Sequence, residues 1–201
     1  MFNSYPDILK KLIINFSKLP GIGEKSANRL AFYLISQPEL CEILSDLIRE
    51  LPFKVKFCKY CRNLTEEEVC KICKEPYRDK NILCIVENPV NLAKIEETSI
   101  FKGYYFVLHY LLSPKEGIGT KELGLEHLIW LINFRQIKEV IIALSPTLSG
   151  EATSNYIYKL LKDYPIKITK LACGIPMGLE VQFVDPLTLK KAIQAREILK
   201  D

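Results

Sequence analysis

The sequence contains no apolar run long enough to span a bilayer. Its best run, YYFVLHYLL at 104–112, carries a histidine and falls well short of the ~20 residues that a membrane helix needs. The first residues, MFNSYPDILKK, also lack a basic end followed by an apolar core, so no secretory signal is visible. We therefore expect a cytoplasmic protein without a membrane partner.

Proline and glycine are scarce as well, at 11 and 9 of 201 residues, which excludes a fibrous or low-complexity chain. Hydrophobic residues make up 48% and charged residues 26%, a globular composition that excludes intrinsic disorder. The net charge is only +4 and is spread along the chain, so bulk electrostatics do not indicate a nucleic-acid partner. Any such binding must come from local geometry.

Hydrophobic spacing indicates how the chain is organised. In the first fifty residues apolar side chains recur every three or four positions, which predicts about three helices, with a break at Pro20–Gly23 and an end at Pro52. From residue 81, short β-branched or aromatic runs appear, with helical patterns at 122–134 and 152–163. This alternation predicts βαβ units and a mostly parallel sheet with strands at Ile82–Val86, Tyr104–Leu108, Val140–Leu144 and Ile166–Ala172.

A last strand at Val181–Val184 and a helix at Pro186–Leu199 are predicted for the end of the chain. The expected fold class is therefore α/β, built from several modules. Their expected boundaries are 1–53 for the helices, 54–80 for a cysteine-bearing segment, 81–176 for the sheet and 177–201 for the C-terminal segment.

Four of the seven cysteines form two CxxC pairs that bracket eight residues. Each pair can turn two thiolates towards one point, so the two pairs predict a closed, structural zinc site with the ligands Cys58, Cys61, Cys70 and Cys73. The segment between them, RNLTEEEV, has little to bury and is expected to need the metal. The alternative is a set of four unrelated buried cysteines. The other three cysteines lie in apolar surroundings and are predicted to be core residues: Cys41, Cys84 and Cys173.

The break between the first two predicted helices has the sequence Pro20-Gly21-Ile22-Gly23. Two glycines allow close backbone approach, and the free amides at a helix start favour an anion such as a DNA phosphate. Lys25 and Arg29 follow four residues apart and share one helix face. The spacing suggests a helix-hairpin-helix that grips the DNA backbone, with Gly21, Gly23, Lys25 and Arg29 as the contact residues. The alternative is a tight turn followed by two solvated cations.

Two acidic residues are predicted at the carboxyl edge of the sheet, where α/β proteins bind ligands. Glu87 ends the first strand, and Glu151 follows the strand at 140–144. A magnesium-dependent phosphoryl-transfer site needs several carboxylates, but positions 145 and 147 are hydroxyl residues. We therefore favour structural roles for both glutamates over catalysis.

Other motifs offer little chemistry. Gly117-Ile118-Gly119-Thr120-Lys121 lacks the spacing of a P-loop. His109 and His127 are far apart in sequence, and each is predicted to be a partly buried histidine and not a ligand or base. No nucleophile has a visible base nearby.

Several segments together resemble one known family, the RecR recombination mediators. The resemblance covers essentially the whole chain in the right order. It rests on the C-x2-C-x8-C-x2-C quartet and on FSKLPGIGEKSANRLAFYL at 16–34, VLHYLLSPKEGIG at 107–119, SPTLSGEATSNYI at 145–157 and ACGIPMGLEVQFVD at 172–185.

The resemblance implies a helix-hairpin-helix domain, a four-cysteine zinc finger, a Toprim domain and a C-terminal assembly segment. It further implies a homotetrameric ring that clamps DNA and works with RecO and RecF to load RecA onto gapped DNA. By this resemblance, Lys25 and Arg29 stand at DNA-contacting positions, and the four cysteines match the zinc ligands. Glu87 and Glu151 match acidic Toprim positions implicated in contact with RecO.

The chain also departs from the family pattern. Catalytic Toprim enzymes carry Asp-x-Asp where this chain has Ser145 and Thr147, and the RecR family usually has Asn at the first of these positions. Further departures lie near His109-Tyr110 and at Cys173, Leu179 and Gln182. Three hypotheses follow: a non-catalytic DNA-binding mediator, a Toprim phosphoryl-transfer enzyme, or a scaffold that binds only protein.

Overall fold

A computed structural model describes residues 4–196 and 198. The chain divides into two units, Met1–Lys56 and Phe57–Asp201. The first unit contains helices α1 (Asp7–Phe16), α2 (Glu24–Ile35) and α3 (Pro38–Lys54). Its small core comes from α1 and α2 and consists of Leu9, Ile13, Ala27 and Ala31.

Helix α3 differs from expectation in two ways. It continues through Pro52 to Lys54, so the predicted end at Pro52 is wrong. Proline costs only one backbone hydrogen bond in this last turn, and the helix still closes with a 3.0 Å bond from the Val55 amide to the Leu51 carbonyl. No residue of α3 is buried, and Cys41 is exposed, which corrects its assignment to the core.

The cysteine-bearing segment follows, and its four cysteines all lie in the second unit. Strands β1 (Lys56–Phe57) and β2 (Leu64–Thr65) form a two-stranded sheet around the first CxxC pair. The short helix α4 (Lys71–Lys74) carries the last cysteine of the quartet.

The predicted parallel sheet is confirmed. Its strands are β3 (Ile82–Val86), β4 (Tyr104–Val107), β5 (Glu139–Ala143) and β6 (Lys167–Lys170), arranged in the order β4-β3-β5-β6 with every pair parallel. The connecting helices are α5 (Pro89–Glu97), α6 (Leu125–Arg135) and α7 (Leu148–Leu161). The chain leaves β3 in one direction and β5 in the other, so the topological switch point lies between the ends of these two strands.

Helices cover both faces of the sheet, because alternate residues of a strand point to opposite faces. Leu83, Ile85 and Phe106 pack into one core with residues of α6 and α7. Cys84 and Val86 pack into a second core beneath α5, so the assignment of Cys84 to the core is confirmed. Strands buried on both faces need the nearly continuous apolar runs that the sequence contains.

The predicted strand at Val181–Val184 is wrong: Val181–Phe183 is a short 3-10 turn. A β-branched run becomes a strand only where a neighbouring strand offers hydrogen bonds, and Val181 and Phe183 are 59% and 69% exposed. The following helix, α8 (Pro186–Gln194), is shorter than predicted, and Leu199 lies outside the described residues. Cys173 is half-buried and belongs to no core cluster of the described residues, which corrects its assignment to the core. Among the described residues, no helix is both long and apolar enough to cross a membrane.

Candidate metal centre and nucleic-acid interface

The structure brings all four predicted zinc ligands together. The Sγ atoms of Cys58, Cys61, Cys70 and Cys73 lie within 4.8 Å of one another, and all four residues are buried. A tetrahedral site with Zn–S bonds of about 2.3 Å places its sulfurs about 3.8 Å apart, so the quartet fits zinc.

Backbone amides support the thiolates of the quartet. The Cys70 amide donates to Cys58 Sγ at 3.3 Å, and the Asn63 amide donates to Cys61 Sγ at 3.4 Å. Such outer donors orient metal ligands and stabilise their charge. The second unit therefore supplies both the ligands and part of the shell that surrounds them.

The first turn of the quartet, which we call the zinc knuckle (residues 58–62), is held by three consecutive backbone carbonyls. The Tyr60 carbonyl accepts from His127 Nε2 at 2.9 Å, the Cys61 carbonyl from the Val107 amide at 2.9 Å, and the Arg62 carbonyl from His109 Nε2 at 2.7 Å. Because a carbonyl only accepts, Nε2 carries the proton in both histidines. The knuckle is thereby fixed to β4 and α6.

Both histidines of the chain serve this contact. They are half-buried, as predicted, and burial lowers the pKa of His109, which favours its neutral ring. Sequence reasoning missed their role. The hydrogen bond of His109 spans 47 positions of the sequence and that of His127 spans 67, so no local pattern signals either contact.

The turn between α1 and α2 has the open geometry expected of a phosphate contact. Gly21 has φ +77°, a conformation that favours glycine, and Gly23 precedes α2 without any side-chain cap. Among the described residues, and apart from each glycine and its two chain neighbours, no atom lies within 4 Å of where a Cβ on either glycine would stand.

Lys25 and Arg29 lie on the exposed part of α2. Neither forms an ion pair with any residue in 4–196 or 198, whereas Ala27 and Ala31 are fully buried against α1. The helix therefore presents two uncompensated cations beside a glycine turn with free amides, and this combination attracts phosphate.

Glu87 lies at the switch point of the sheet, directly after β3. Ser145, which follows β5, donates from Oγ to Glu87 Oε2 at 3.0 Å. A hydroxyl thus occupies the place beside Glu87 where metal binding would need a second carboxylate. Within the described part of the chain, the cysteine quartet is the only group of three or more residues placed to hold a metal ion.

Glu151 is engaged by two lysines. Its carboxylate accepts from Lys170 Nζ at 2.7 Å and from Lys191 Nζ at 3.2 Å, and these hydrogen-bonded charges lower the pKa of Glu151. Thr147, and not Glu151, caps the start of α7, because its hydroxyl accepts from the Gly150 amide at 3.1 Å. Glu151 instead links α7 to β6 and α8.

The fold and these sites define a class of protein in which a helix-hairpin-helix, a four-cysteine zinc finger and a Toprim domain follow one another. Four family models match the chain in that order: a RecR helix-hairpin-helix at 9–51, a RecR four-cysteine zinc finger at 55–74, a Toprim domain at 81–172 and a RecR C-terminal segment at 174–197. The chain belongs to the RecR family, and its buried cysteine quartet is a structural zinc site.

Relatives match over nearly their full length. A protein of Myxococcus xanthus is 44% identical over 96% of this chain and 99% of its own. Proteins of Desulfitobacterium hafniense and Koribacter versatilis are 40% and 37% identical, over 97% and 98% of this chain and 98% and 100% of their own. Each of the three is named "Recombination protein RecR".

Proposed function

We propose that the chain is a non-catalytic DNA-binding mediator of recombinational repair in the cytoplasm. In this proposal it forms a ring-like clamp and helps RecO and RecF to load RecA on gapped DNA. The observation that carries the proposal is the face formed by the glycine turn, Lys25 and Arg29, where two cations without acidic partners lie beside free backbone amides. This face contacts phosphates and reads no bases, as a clamp on DNA of any sequence requires.

The carboxyl edge of the sheet supports a role without catalysis. Phosphoryl transfer with two metal ions needs carboxylates that converge on the cations. Here Glu87 accepts from Ser145, and Glu151 is paired with two lysines. We assign these glutamates to contact with RecO; Glu87 has the better access to a partner, because no cation pairs with it among the described residues.

Self-association is supported by apolar side chains that the described chain leaves uncovered. Helix α3 buries no residue, and Ile43, Leu47 and Ile48 are 56%, 58% and 67% exposed. Helix α8 likewise exposes Leu187 and Ile193 at 63% and 58%. Surfaces of this kind mark contacts between proteins, and the homotetramer of the proposal covers them. Light scattering across micromolar concentrations tests this, and a protein that stays monomeric would contradict the ring.

The DNA face is tested by the salt dependence of binding. Replacing Lys25→Ala together with Arg29→Ala should nearly abolish the retardation of gapped DNA. The slope of log K against log salt is measured at salt low enough for the variant to bind. Its magnitude should decrease by about 1.8 for each engaged subunit, since each phosphate contact contributes about 0.9.

A charge-matched control is available in the same unit. Arg49 and Lys54 lie on α3 and pair with acids of that helix, so the double variant Arg49→Ala and Lys54→Ala removes the same charge from another surface. The proposal requires this control to bind nearly as the parent does. Equal losses of affinity in both variants would mean that only net charge matters. The assignment of DNA contact to the glycine turn, Lys25 and Arg29 would then be wrong. Magnesium-dependent nicking of the DNA would favour the enzyme alternative instead.

A further inference from the structure

Three aromatic rings form a partly exposed stack in the second unit. We call Tyr60, Trp130 and Phe134 the aromatic platform. The ring centroids of Trp130 and Phe134 are 5.0 Å apart, with an interplanar angle of 11°. The Tyr60 centroid lies 6.1 Å from that of Trp130, with the rings parallel, and 5.6 Å from that of Phe134, at an angle of 12°. Trp130 is 43% and Phe134 54% exposed, although burying such rings would stabilise the fold. The platform therefore offers apolar surface to a ligand.

Arg135 stands beside the platform without an acidic partner. Its guanidinium lies 5.0 Å from the centroid of the Tyr60 ring and 4.2 Å from that of Tyr104. Its Nε is buried and has no hydrogen-bond partner, and no carboxylate within residues 4–196 and 198 forms an ion pair with it. Three aromatic rings partly compensate this charge, but Nε stays without a partner, so an anion that reaches the guanidinium would stabilise it further.

Another arginine in the same unit is neutralised within the fold. The buried guanidinium of Arg78 pairs with Glu75 at 2.9 Å and with Glu96, and donates to the Gly103 carbonyl at 2.8 Å. The fold thus neutralises Arg78 internally and leaves Arg135 unneutralised beside exposed rings. Arg135 is therefore placed to bind an anion that a ligand supplies.

We propose that the aromatic platform and Arg135 form a second DNA contact that takes single-stranded DNA. One or more bases stack on Trp130 and Phe134, and Arg135 binds a neighbouring phosphate. Stacked aromatic rings next to a cation are how proteins hold single strands, because every base has a π face, whereas the bases of a duplex are stacked on one another. The inference rests on the proposed DNA-binding function and names the strand that this surface prefers.

The chain carries its own probe, because Trp130 is its only tryptophan. Oligo(dT) should quench the fluorescence of Trp130 in a saturable way, whereas an abasic oligomer of equal length, which has phosphates but no bases, should not. Phe134→Ala should weaken the affinity measured by quenching about fivefold or more, the usual effect of losing one stacking ring. Arg135→Gln should weaken the affinity as well. Arg135→Lys should recover only part of that loss, since lysine keeps the charge but lacks the planar guanidinium that lies over the Tyr60 and Tyr104 rings.

Matched controls separate this contact from general losses. Phe53→Ala removes a ring that is 84% exposed on α3, and Arg49→Gln removes a surface charge there; both should quench like the parent. Zinc content and thermal melting establish that each variant is folded. If Arg135→Gln does not fold, Phe134→Ala decides the matter, because a ring that is 54% exposed contributes less to the core than a buried one.

The outcomes also separate this inference from the proposed function. Parent protein that retards gapped DNA through Lys25 and Arg29 but shows no base-dependent quenching would overturn the platform alone. Equal quenching by the abasic oligomer, or a change only on adding a protein partner, would overturn it too. Quenching by oligo(dT) that persists in the Lys25→Ala, Arg29→Ala variant supports the platform as an independent contact, even if the clamp face proves wrong.

Discussion

The attachment of the zinc knuckle to the sheet gives a prediction whose size follows from the geometry. His127→Phe keeps an aromatic ring near Phe106 and Trp130 but removes the Nε2 that donates to the Tyr60 carbonyl at 2.9 Å. A net hydrogen bond is worth about 0.5–1.5 kcal/mol, and a carbonyl left unpaired in a half-buried place costs about 1–3 kcal/mol. We therefore expect a loss of about 1–2 kcal/mol in the free energy of unfolding of the second unit.

The same loss should appear in how fast the zinc leaves. If the hydrogen bond holds the knuckle closed, its removal favours the open form by the same free energy, which raises zinc release to a strong chelator about 5- to 30-fold. The assay mixes zinc-loaded protein with excess chelator and a colorimetric zinc indicator, in parallel with urea unfolding. His109→Asn, which loses the 2.7 Å bond to Arg62 and tolerates the positive φ of +70°, should behave similarly.

A suitable control is Lys167→Ala, which removes an exposed ion pair with Glu139 in the same sheet and should leave zinc release unchanged. Parent-like zinc release and parent-like unfolding in His127→Phe would refute the reasoning. The three-carbonyl contact would then be a consequence of the packing of the knuckle and not a cause of its stability.

Three further predictions concern the metal, the sheet edge and catalysis. Metal analysis should return one zinc per chain, and Cys61→Ser should lower soluble yield, because the segment has little else to fold around. Lys170 and Lys191 lower the pKa of Glu151 from about 4.5, so their ion pairs stabilise the fold above that pH and are lost as pH falls through the lowered pKa. Glu151→Gln should hence cost under ~1 kcal/mol at pH 7 and nothing at strongly acid pH, as denaturant titrations at both pH values would show. Plasmid incubated with Mg²⁺ or Mn²⁺ should remain intact, and cleavage that disappears in Glu87→Gln would contradict the non-catalytic proposal.

The elements that sequence could predict are those specified locally. The cysteine spacing defines four ligands whatever the rest of the chain does, and the apolar runs at 82–86 and 104–107 demand a sheet covered on both faces. The run at 181–184 has similar residues but pairs with no strand among the described residues, and Val181–Phe183 forms a 3-10 turn. Cys41 shows the same limit, since apolar neighbours on α3 do not bury it within the described chain. Contacts between distant segments, such as those of His109 and His127, leave no trace in local pattern.

One residue joins the zinc site to the aromatic platform. Tyr60 lies between the ligands Cys58 and Cys61, its carbonyl is held by His127, and its ring stacks on Trp130. Zinc fixes the backbone on both sides of Tyr60. The metal therefore positions one ring of the aromatic platform without itself contacting the bound DNA. Removing zinc with a chelator should therefore shift the emission of Trp130 and weaken base-dependent quenching by oligo(dT), and restoring zinc should reverse both changes. Tyr60→Phe, which keeps the ring, should stack normally, whereas Tyr60→Ala in zinc-loaded protein should reproduce the loss of quenching. Quenching that survives zinc removal unchanged would show that Trp130 and Phe134 suffice and that the metal has no part in this surface.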